Sequence, residues 1–278
     1  CLVCLKASSR DVQLVAHAVY SMEERVNDEE KSTVVSELIK GFLRENRISP
    51  ASVFLGIPRS KAILRYLEYP IAVKENLRET LAYELEKHVP FSPEDVCFDF
   101  QIISENKVTD RLELLLVVAK KQELSSILAL SEQLSFGISG VGISATALGD
   151  YFFWRNKKDN GIIRSFIYAS GGHIELGLLK DGMLIHSRDL PRNEALVDVI
   201  PTALKKMCRD FAEDDDSFEI VFCGMEKDDF FLERLDRIEG ITVRRLDLSS
   251  AQIPSTSLLI AYGLALKGVR KTSMDINL

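Results

Sequence analysis

The segment RLELLLVVAK at 111–120 constrains the fold more than any other stretch of this sequence. In a strand, alternate residues from Leu112 to Leu116 would share one face, while Leu115 and Val117 would lie on the other. A strand that is apolar on both faces is usually buried on both. The sequence therefore predicts a central strand with a helix against one face and a neighbouring lobe or a partner against the other.

The sequence around this strand predicts a first lobe that carries an inserted unit. Residues 62–136 have the order strand, helix, strand, strand, helix, which is typical of a compact insertion. Two apolar strands joined by a turn precede it, and a polar run, WRNKKDNG at 154–161, follows it. We expect the first lobe to span residues 1–157.

The second half repeats this organisation in outline. Residues 158–254 begin with strands joined by tight turns at Gly171-Gly172 and Asp181-Gly182, and they continue with alternating helices and strands. Residues 255–278 predict a closing helix that returns to the first lobe, with Gly268 as its C-terminal cap, and a short tail. The fold class is therefore α/β with an internal duplication.

Composition excludes several classes of function. The 278-residue chain has a net charge of −7 and no long run of Lys or Arg, so we expect no nucleic-acid partner. Cys1 and Cys4 form a C-x-x-C without a second pair, so we expect no metal site. No apolar run reaches the about 18 residues that span a bilayer. Because the chain starts with Cys and stops in mid-pattern, we expect a membrane anchor outside it.

Several short motifs occur in an order that resembles a known family. They are a strand ending in Pro58-Arg59, a strand that contains Arg65 and ends in Pro70, HVPF at 88–91, SRDLP at 187–191, IVFCG at 220–224 and YGLALKG at 262–268. In this order they resemble the pilus assembly protein PilM and its relative GspL over nearly the whole chain. The resemblance implies a two-lobed actin-like fold, a duplicated ribonuclease H-like architecture, with an FtsA-type inserted subdomain at about 62–136.

The same resemblance implies a nucleotide site that has degenerated. Actin-like proteins cradle ATP in glycine-containing hairpins and a glycine-rich adenosine loop, with a carboxylate near the phosphates. Where a D-I-G turn is expected, this chain has Tyr168-Ala169-Ser170, and a phenol with a pKa of about 10 is a poor Mg²⁺ ligand. The adenosine loop has lost its first glycine. The residues of this predicted site are Tyr168, Ser170, Gly171, Gly172, Cys223 and Gly224.

From these substitutions we expect no cofactor and no ATP hydrolysis. The alternative is an actin-like switch that binds ATP with Mg²⁺, or a weak ATPase. A sugar or acetate kinase on the same fold is a further alternative, but it would need a catalytic Asp and an intact phosphate turn. Tyr168 argues against both enzyme hypotheses.

The resemblance also implies partners and a location. It predicts a scaffold on the cytoplasmic side of the bacterial inner membrane, in a type II secretion system or a type IV pilus, and leaves the choice between them open. The expected partners are a secretion or pilus assembly ATPase and a PilN- or GspM-like membrane component, and a homodimer is allowed.

The last four residues, Asp275-Ile276-Asn277-Leu278, look like the start of a PilN segment. PilN begins with a cytoplasmic I-N-L-L-P stretch that PilM grips in a groove, and here the segment would be carried on the same chain. Ile276 and Leu278 would supply apolar anchors, and the Asn277 amide can both donate and accept hydrogen bonds. We expect residues 275–278 to lie against the first lobe or the insertion. The alternative is a frayed C-terminus.

Overall fold

The computed structural model describes residues 1–8, 11–21, 28–155, 163–170, 173–180, 182–191, 196–208, 218–224, 229–249 and 252–278. Its strands are β1 (Leu2–Ala7), β2 (Val12–Ala18), β3 (Phe54–Ile57), β4 (Ala62–Pro70), β5 (Val96–Asn106), β6 (Arg111–Lys120), β7 (Gly140–Ile143), β8 (Ile163–Ser170), β9 (His173–Lys180), β10 (Met183–Pro191), β11 (Phe218–Cys223) and β12 (Ile241–Arg245). Its α-helices are α1 (Asp28–Glu45), α2 (Leu77–His88), α3 (Lys121–Gln133), α4 (Ser144–Arg155), α5 (Leu196–Cys208), α6 (Asp229–Asp236) and α7 (Leu259–Leu266).

The inserted unit is a three-stranded antiparallel sheet in the order β4-β6-β5, so β6 is its central strand. On one face, alternate residues of β6 from Leu112 to Val118 pack with Leu77, Leu81 and Leu85 of α2. On the other face, the side chains of Leu115 and Val117 pack in an apolar cluster that also contains residues of both lobes. This confirms the prediction that the strand is covered by a helix on one side and a neighbouring lobe on the other.

The first lobe pairs β1 with β2 antiparallel and β3 with β7 parallel. Helix α7 packs closely on β3, since a Cβ on Gly56 would lie 2.5 Å from Cδ1 of Leu264. Helix α3 follows the inserted sheet, yet Leu130 and Leu134 pack with Ile39 of α1. The last helix of the 62–136 segment therefore lies against the first lobe.

The second lobe is a five-stranded sheet in the order β10-β9-β8-β11-β12. Strands β8 to β10 are antiparallel, whereas β11 is parallel to both β8 and β12. One face of this sheet is covered by α5, through Ile200 and Leu204. Gly182 has φ of 77° in the turn between β9 and β10, as a tight turn there requires. The predicted turn at Gly171-Gly172 lies outside the described residues.

A single apolar cluster, which we call the central core, joins the two lobes and the inserted unit. It includes Leu115 and Val117 of β6, Tyr151 and Phe152 of α4, Phe166 and Tyr168 of β8, Leu184 of β10, Val221 and Cys223 of β11, Tyr262 of α7, and Met274 and Ile276 of the tail. No helix among the described residues is long and apolar enough to cross a bilayer.

Gly268 was predicted to be the C-terminal cap of α7, but the C-cap is Lys267 and Gly268 does not have a positive φ. Positive φ values among the described glycines occur at Gly182 and Gly240 only. A Cβ on Gly268 would instead lie 2.4 Å from the hydroxyl oxygen of Ser52. The glycine is therefore required for close packing rather than for a special backbone conformation.

Candidate functional site

The C-terminal tail runs along the free edge of β7. The backbone N–H of Leu278 donates to the carbonyl oxygen of Val141 at 2.9 Å. The N–H of Val141 donates to Oδ1 of Asn277 at 2.8 Å, so a side-chain amide takes the place of a backbone acceptor. An edge strand exposes backbone donors and acceptors that need partners. The tail supplies an acceptor for the N–H of Val141 and a donor for its carbonyl oxygen.

The opposite side of the tail is held by β5 of the inserted sheet. The N–H of Asp275 donates to Oε1 of Gln101 at 3.0 Å, and that of Asn277 donates to Oδ2 of Asp99 at 2.9 Å. The other oxygen of Asp99 accepts from Arg78, which fixes the carboxylate in place. The tail therefore occupies a groove, here called the tail groove, between β7 and β5.

Alternate side chains of the tail point into the protein, as in a strand. Met274 and Ile276 are buried in the central core, and Leu278 packs against it. Full burial of such a side chain stabilises by about 1.5–3 kcal/mol. A Cβ on Gly140 would lie 2.6 Å from Oδ1 of Asn277, so a larger residue there would displace the Asn277 amide. The prediction that the tail lies against the first lobe or the insertion is confirmed, since the tail contacts both.

A buried carboxyl group anchors the residues that precede the tail. Oδ1 of Asp150, on α4, accepts from the N–H of Met274 at 2.9 Å and from the hydroxyl of Ser273 at 3.2 Å. The same hydroxyl lies 3.1 Å from the carbonyl oxygen of Gly182 in the second lobe. Burial raises the pKa of Asp150 to about 7, although the nearby Lys267 ammonium opposes the shift. The Lys267 ammonium donates to the carbonyl oxygen of Ile276 at 2.7 Å.

Two residues of the predicted nucleotide site lie side by side in the second lobe. Tyr168 and Cys223 are in register on the parallel strands β8 and β11. Both are buried in the central core, and burial raises the pKa of the Cys223 thiol. The carbonyl oxygen of Gly224 accepts from the hydroxyl of Thr256 at 3.2 Å. Ser170 ends β8, and Gly171 and Gly172 lie outside the described residues.

A polar cluster between the lobes was missed by the sequence analysis. We call it the cleft cluster: Arg59, Ser144, Glu175 and Ser187. The hydroxyl of Ser144, at the start of α4, donates to Oε2 of Glu175 at 2.6 Å and accepts from the N–H of Arg59 at 2.9 Å. Nε of Arg59 donates to the hydroxyl of Ser187 at 3.2 Å. First-lobe residues thus contact second-lobe residues through buried polar groups.

Glu175 is the acid of this cluster, and it is buried, with 5% of its surface exposed. Burial raises its pKa to about 7, opposed by the hydrogen bond from Ser144 and by the charge of Arg59. Its neighbour across the strands is Tyr168, so the two side chains point the same way. In the sequence, the hint of this buried acid is a single Glu among the apolar residues of β9. An alternating strand pattern alone predicts that such a residue is exposed to solvent.

The two lobes, their shared core and the cleft between them define an actin-like protein. Solved structures with this fold cover nearly the whole chain. A PilM–PilN type IV pilus biogenesis complex has a TM-score of 0.78 at 14% identity, covering 97% of this chain and 95% of that one. The cytoplasmic domain of EpsL from Vibrio cholerae, an inner-membrane component of its type II secretion system, has a TM-score of 0.56 at 11% identity, with coverages of 97% and 90%.

A third structure, a Bacteroides thetaiotaomicron protein of actin-like ATPase fold and unknown function, has a TM-score of 0.52 at 12% identity, covering 93% of this chain and 95% of that one. No curated protein matches the sequence significantly. The sequence profile of the type IV pilus assembly protein PilM family matches residues 1–158. The chain belongs to this family.

Proposed function

We propose that this chain is a cytoplasmic scaffold in the inner-membrane assembly platform of a type IV pilus or type II secretion system. It would connect the assembly ATPase to membrane-spanning components, and a second copy of the chain is a further proposed partner. Membership of the PilM family supports the pilus or secretion system. The contacts of the tail support a role in holding an extended segment of a membrane component.

The observation that carries this proposal is the docked tail. One solved structure of the same fold is a complex of PilM with PilN, and residues 275–278 resemble the start of a PilN segment. In our proposal the segment is supplied in cis and continues toward a membrane anchor. A tethered segment experiences an effective concentration near millimolar, so modest affinity is enough to keep it docked.

A synthetic peptide tests this function. The variant that lacks residues 273–278 should bind a peptide of sequence SMDINL with a dissociation constant below about a millimolar, since a weaker segment would not stay docked even when tethered. The binding is measured by isothermal titration calorimetry. The control peptide carries Ile276→Ala and Asn277→Asp, which remove an apolar anchor and the amide that pairs with Val141.

We expect the control peptide to bind at least tenfold more weakly. Equal affinity of the two peptides would mean that the groove does not recognise the side chains of Ile276 and Asn277. The scaffold proposal would then lose its main support. Absence of binding by the SMDINL peptide to the folded deletion variant would also contradict it.

We further propose that the protein neither binds ATP tightly nor hydrolyses it. Three described residues of the predicted site, Tyr168, Cys223 and Gly224, offer no carboxylate to a Mg²⁺ ion. Tyr168 and Cys223 are packed in an apolar core, and the nearby carboxyl group of Glu175 already accepts a hydrogen bond from Ser144. The one observation that favours the alternative, an ATP-binding switch, is the actin-like fold.

A further inference from the structure

Residues 273–278 close over a buried carboxyl group when they dock. Asp150 of α4 has 0% of its surface exposed, and its Oδ1 accepts from the Ser273 hydroxyl and the Met274 N–H. The Ser273 hydroxyl also lies 3.1 Å from the carbonyl oxygen of Gly182 in the second lobe. Departure of the segment would therefore remove these donors and expose the carboxyl group to water.

The other oxygen of Asp150 lies in surroundings that do not favour a charge. Oδ2 is buried and has no hydrogen-bond partner among the described residues. Apolar side chains pack around the same turn of the helix, since a Cβ on Gly149 would lie 3.5 to 3.9 Å from Leu184, Met274 and Leu179. An ionised carboxylate is costly to bury without donors, whereas a neutral acid is buried at a much lower cost.

The cation that acts on Asp150 is Lys267, which follows α7. Its ammonium donates to the carbonyl oxygen of Ile276 at 2.7 Å. The same ammonium also interacts with the carboxyl groups of Asp275 and Asp99. Because Lys267 is shared among these acceptors, it opposes the protonation of Asp150 without neutralising the carboxylate on its own.

Two further ionisable groups contact α4, one at each end. Glu175 of β9 accepts from Ser144, where the helix begins. Asp247 pairs with Arg155 at 3.8 Å, where the helix ends. These groups are unchanged in the variants used below, so a difference between the variants does not come from them.

We propose that docking of residues 273–278 takes up a proton at Asp150, so that the segment is held over a neutral acid and is released as pH rises. This inference rests on the docked tail that carries the proposed function, and it adds a condition under which the tail leaves its groove.

The direction of the effect follows from burial. In the docked protein, burial raises the pKa of Asp150 from 3.8 to about 7. Between these values the docked state holds a proton that the exposed carboxyl group has released. Docking therefore weakens as pH rises through this range, by at most about tenfold per pH unit, and becomes independent of pH above it.

The test is amide hydrogen exchange of the full chain at pH 5.5, 6.5 and 7.5, with each rate divided by that of an unstructured chain at the same pH. The N–H groups of Met274, Asn277 and Leu278 report tail opening, because each donates a hydrogen bond when the tail is docked. We expect their opening constant to rise at least about fivefold from pH 5.5 to pH 7.5. A constant value in the natural protein would overturn the proposal.

Asp150→Asn keeps an acceptor for Met274 but cannot ionise, so its opening constant should not depend on pH. Glu219→Gln is the control, since it neutralises an acid whose partners, Arg164 and Arg244, lie in the second lobe, and it should behave like the natural protein. An equal rise in Asp150→Asn would overturn the proposal, because another group would then titrate.

Lys267→Gln separates a proton-linked role of Asp150 from a merely structural one. The amide can still donate to the carbonyl oxygen of Ile276, but the charge that opposes protonation of Asp150 is gone. We expect the pH at which the tail opens to move upward. Weaker docking at every pH, without an upward shift, would contradict proton linkage.

Calorimetry counts the proton directly. Acetylated SMDINL peptide is titrated at pH 6 into the variant that lacks residues 273–278, in two buffers of different ionisation enthalpy. We expect uptake of more than about half a proton per bound peptide. Binding without proton uptake would overturn this inference and leave the proposed function intact, so the two can fail separately.

Discussion

At the residue scale, a single glycine decides what the tail groove can accept. Gly140 lies where β7 begins, and the amide of Asn277 occupies the space that a side chain there would fill. The amide then accepts from the N–H of the next residue, Val141. An aspartate at 277 would keep an acceptor but bring a charge beside Asp99, whose carboxylate already binds the backbone of residue 277. The groove therefore favours asparagine over aspartate at this position.

Gly140→Ala should release the tail while leaving the rest of the first lobe folded. The added methyl group would lie 2.6 Å from Oδ1 of Asn277, and overpacking of this kind typically costs about 1–3 kcal/mol. Hydrogen exchange at residues 275–278 should rise to that of a free chain end. Gly137→Ala is the control, because a Cβ there meets nothing within 4 Å. Protection of the tail in Gly140→Ala would refute the steric argument.

Because the pKa of Asp150 is raised in the folded protein, we expect the free energy of unfolding to fall as pH rises from about 4 to 7. Its pKa is raised from 3.8 to about 7 in the folded protein, so in this range the folded state holds a proton that the unfolded chain has released. Stability falls with pH wherever the folded state binds more protons, by at most about 1.4 kcal/mol per pH unit for one group. The raised pKa of Glu175 acts in the same direction.

The measurement is the free energy of unfolding in urea at pH 5, 6, 7 and 8. Asp150→Asn keeps an acceptor for Met274 but cannot ionise, so the decline should be shallower than in the natural sequence. Lys267, which faces Asp150, remains in both proteins. If the free energy of unfolding falls with pH equally steeply in the two proteins, Asp150 does not titrate in this range.

At the scale of elements, periodicity predicted which residues share a face, but not what covers that face. The two apolar faces of β6 required burial on both sides, and they are buried by α2 and by the central core. The apolar residues at the end of the 62–136 segment were assigned to the insertion, whereas Leu130 of α3 and its C-cap residue Leu134 pack on α1. A helical stripe looks the same in sequence whichever neighbour it meets, so only the tertiary fold decides between them.

Short polar motifs predicted less about the structure, because the sequence does not show which distant residues they contact. The tail was predicted because its four residues resemble a known segment, and its alternate burial follows strand geometry. Asp150 and Glu175 were missed because a buried acid is recognised only from partners distant in sequence. Ser273 lies 123 residues from Asp150, and Ser144 lies 31 residues from Glu175. No local pattern encodes these pairs.

At the scale of the whole molecule, the two lobes share one apolar core. Phe166 and Tyr168 of the second lobe pack with Tyr151 and Phe152 of the first, and the Phe152 and Phe166 rings stack at 5.3 Å. Dispersion and burial across this contact stabilise the packing of one lobe on the other. The cleft cluster adds polar contacts between the same two lobes.

This arrangement predicts that Mg-ATP has no measurable effect on the natural protein. A ligand at a hundred times its dissociation constant would stabilise the fold by about 2.7 kcal/mol, which corresponds to a shift of a few degrees for a chain of this size. We expect no shift at millimolar Mg-ATP, no heat of binding in calorimetry at micromolar protein, and no phosphate release above buffer. The physical reason is that the phenol of Tyr168 lies in an apolar core and that the neighbouring Glu175 carboxyl group already accepts a hydrogen bond from Ser144. Micromolar binding would instead support the nucleotide switch, and a Mg-ATP response confined to Glu175→Ala would identify the acid as the group that excludes the phosphates.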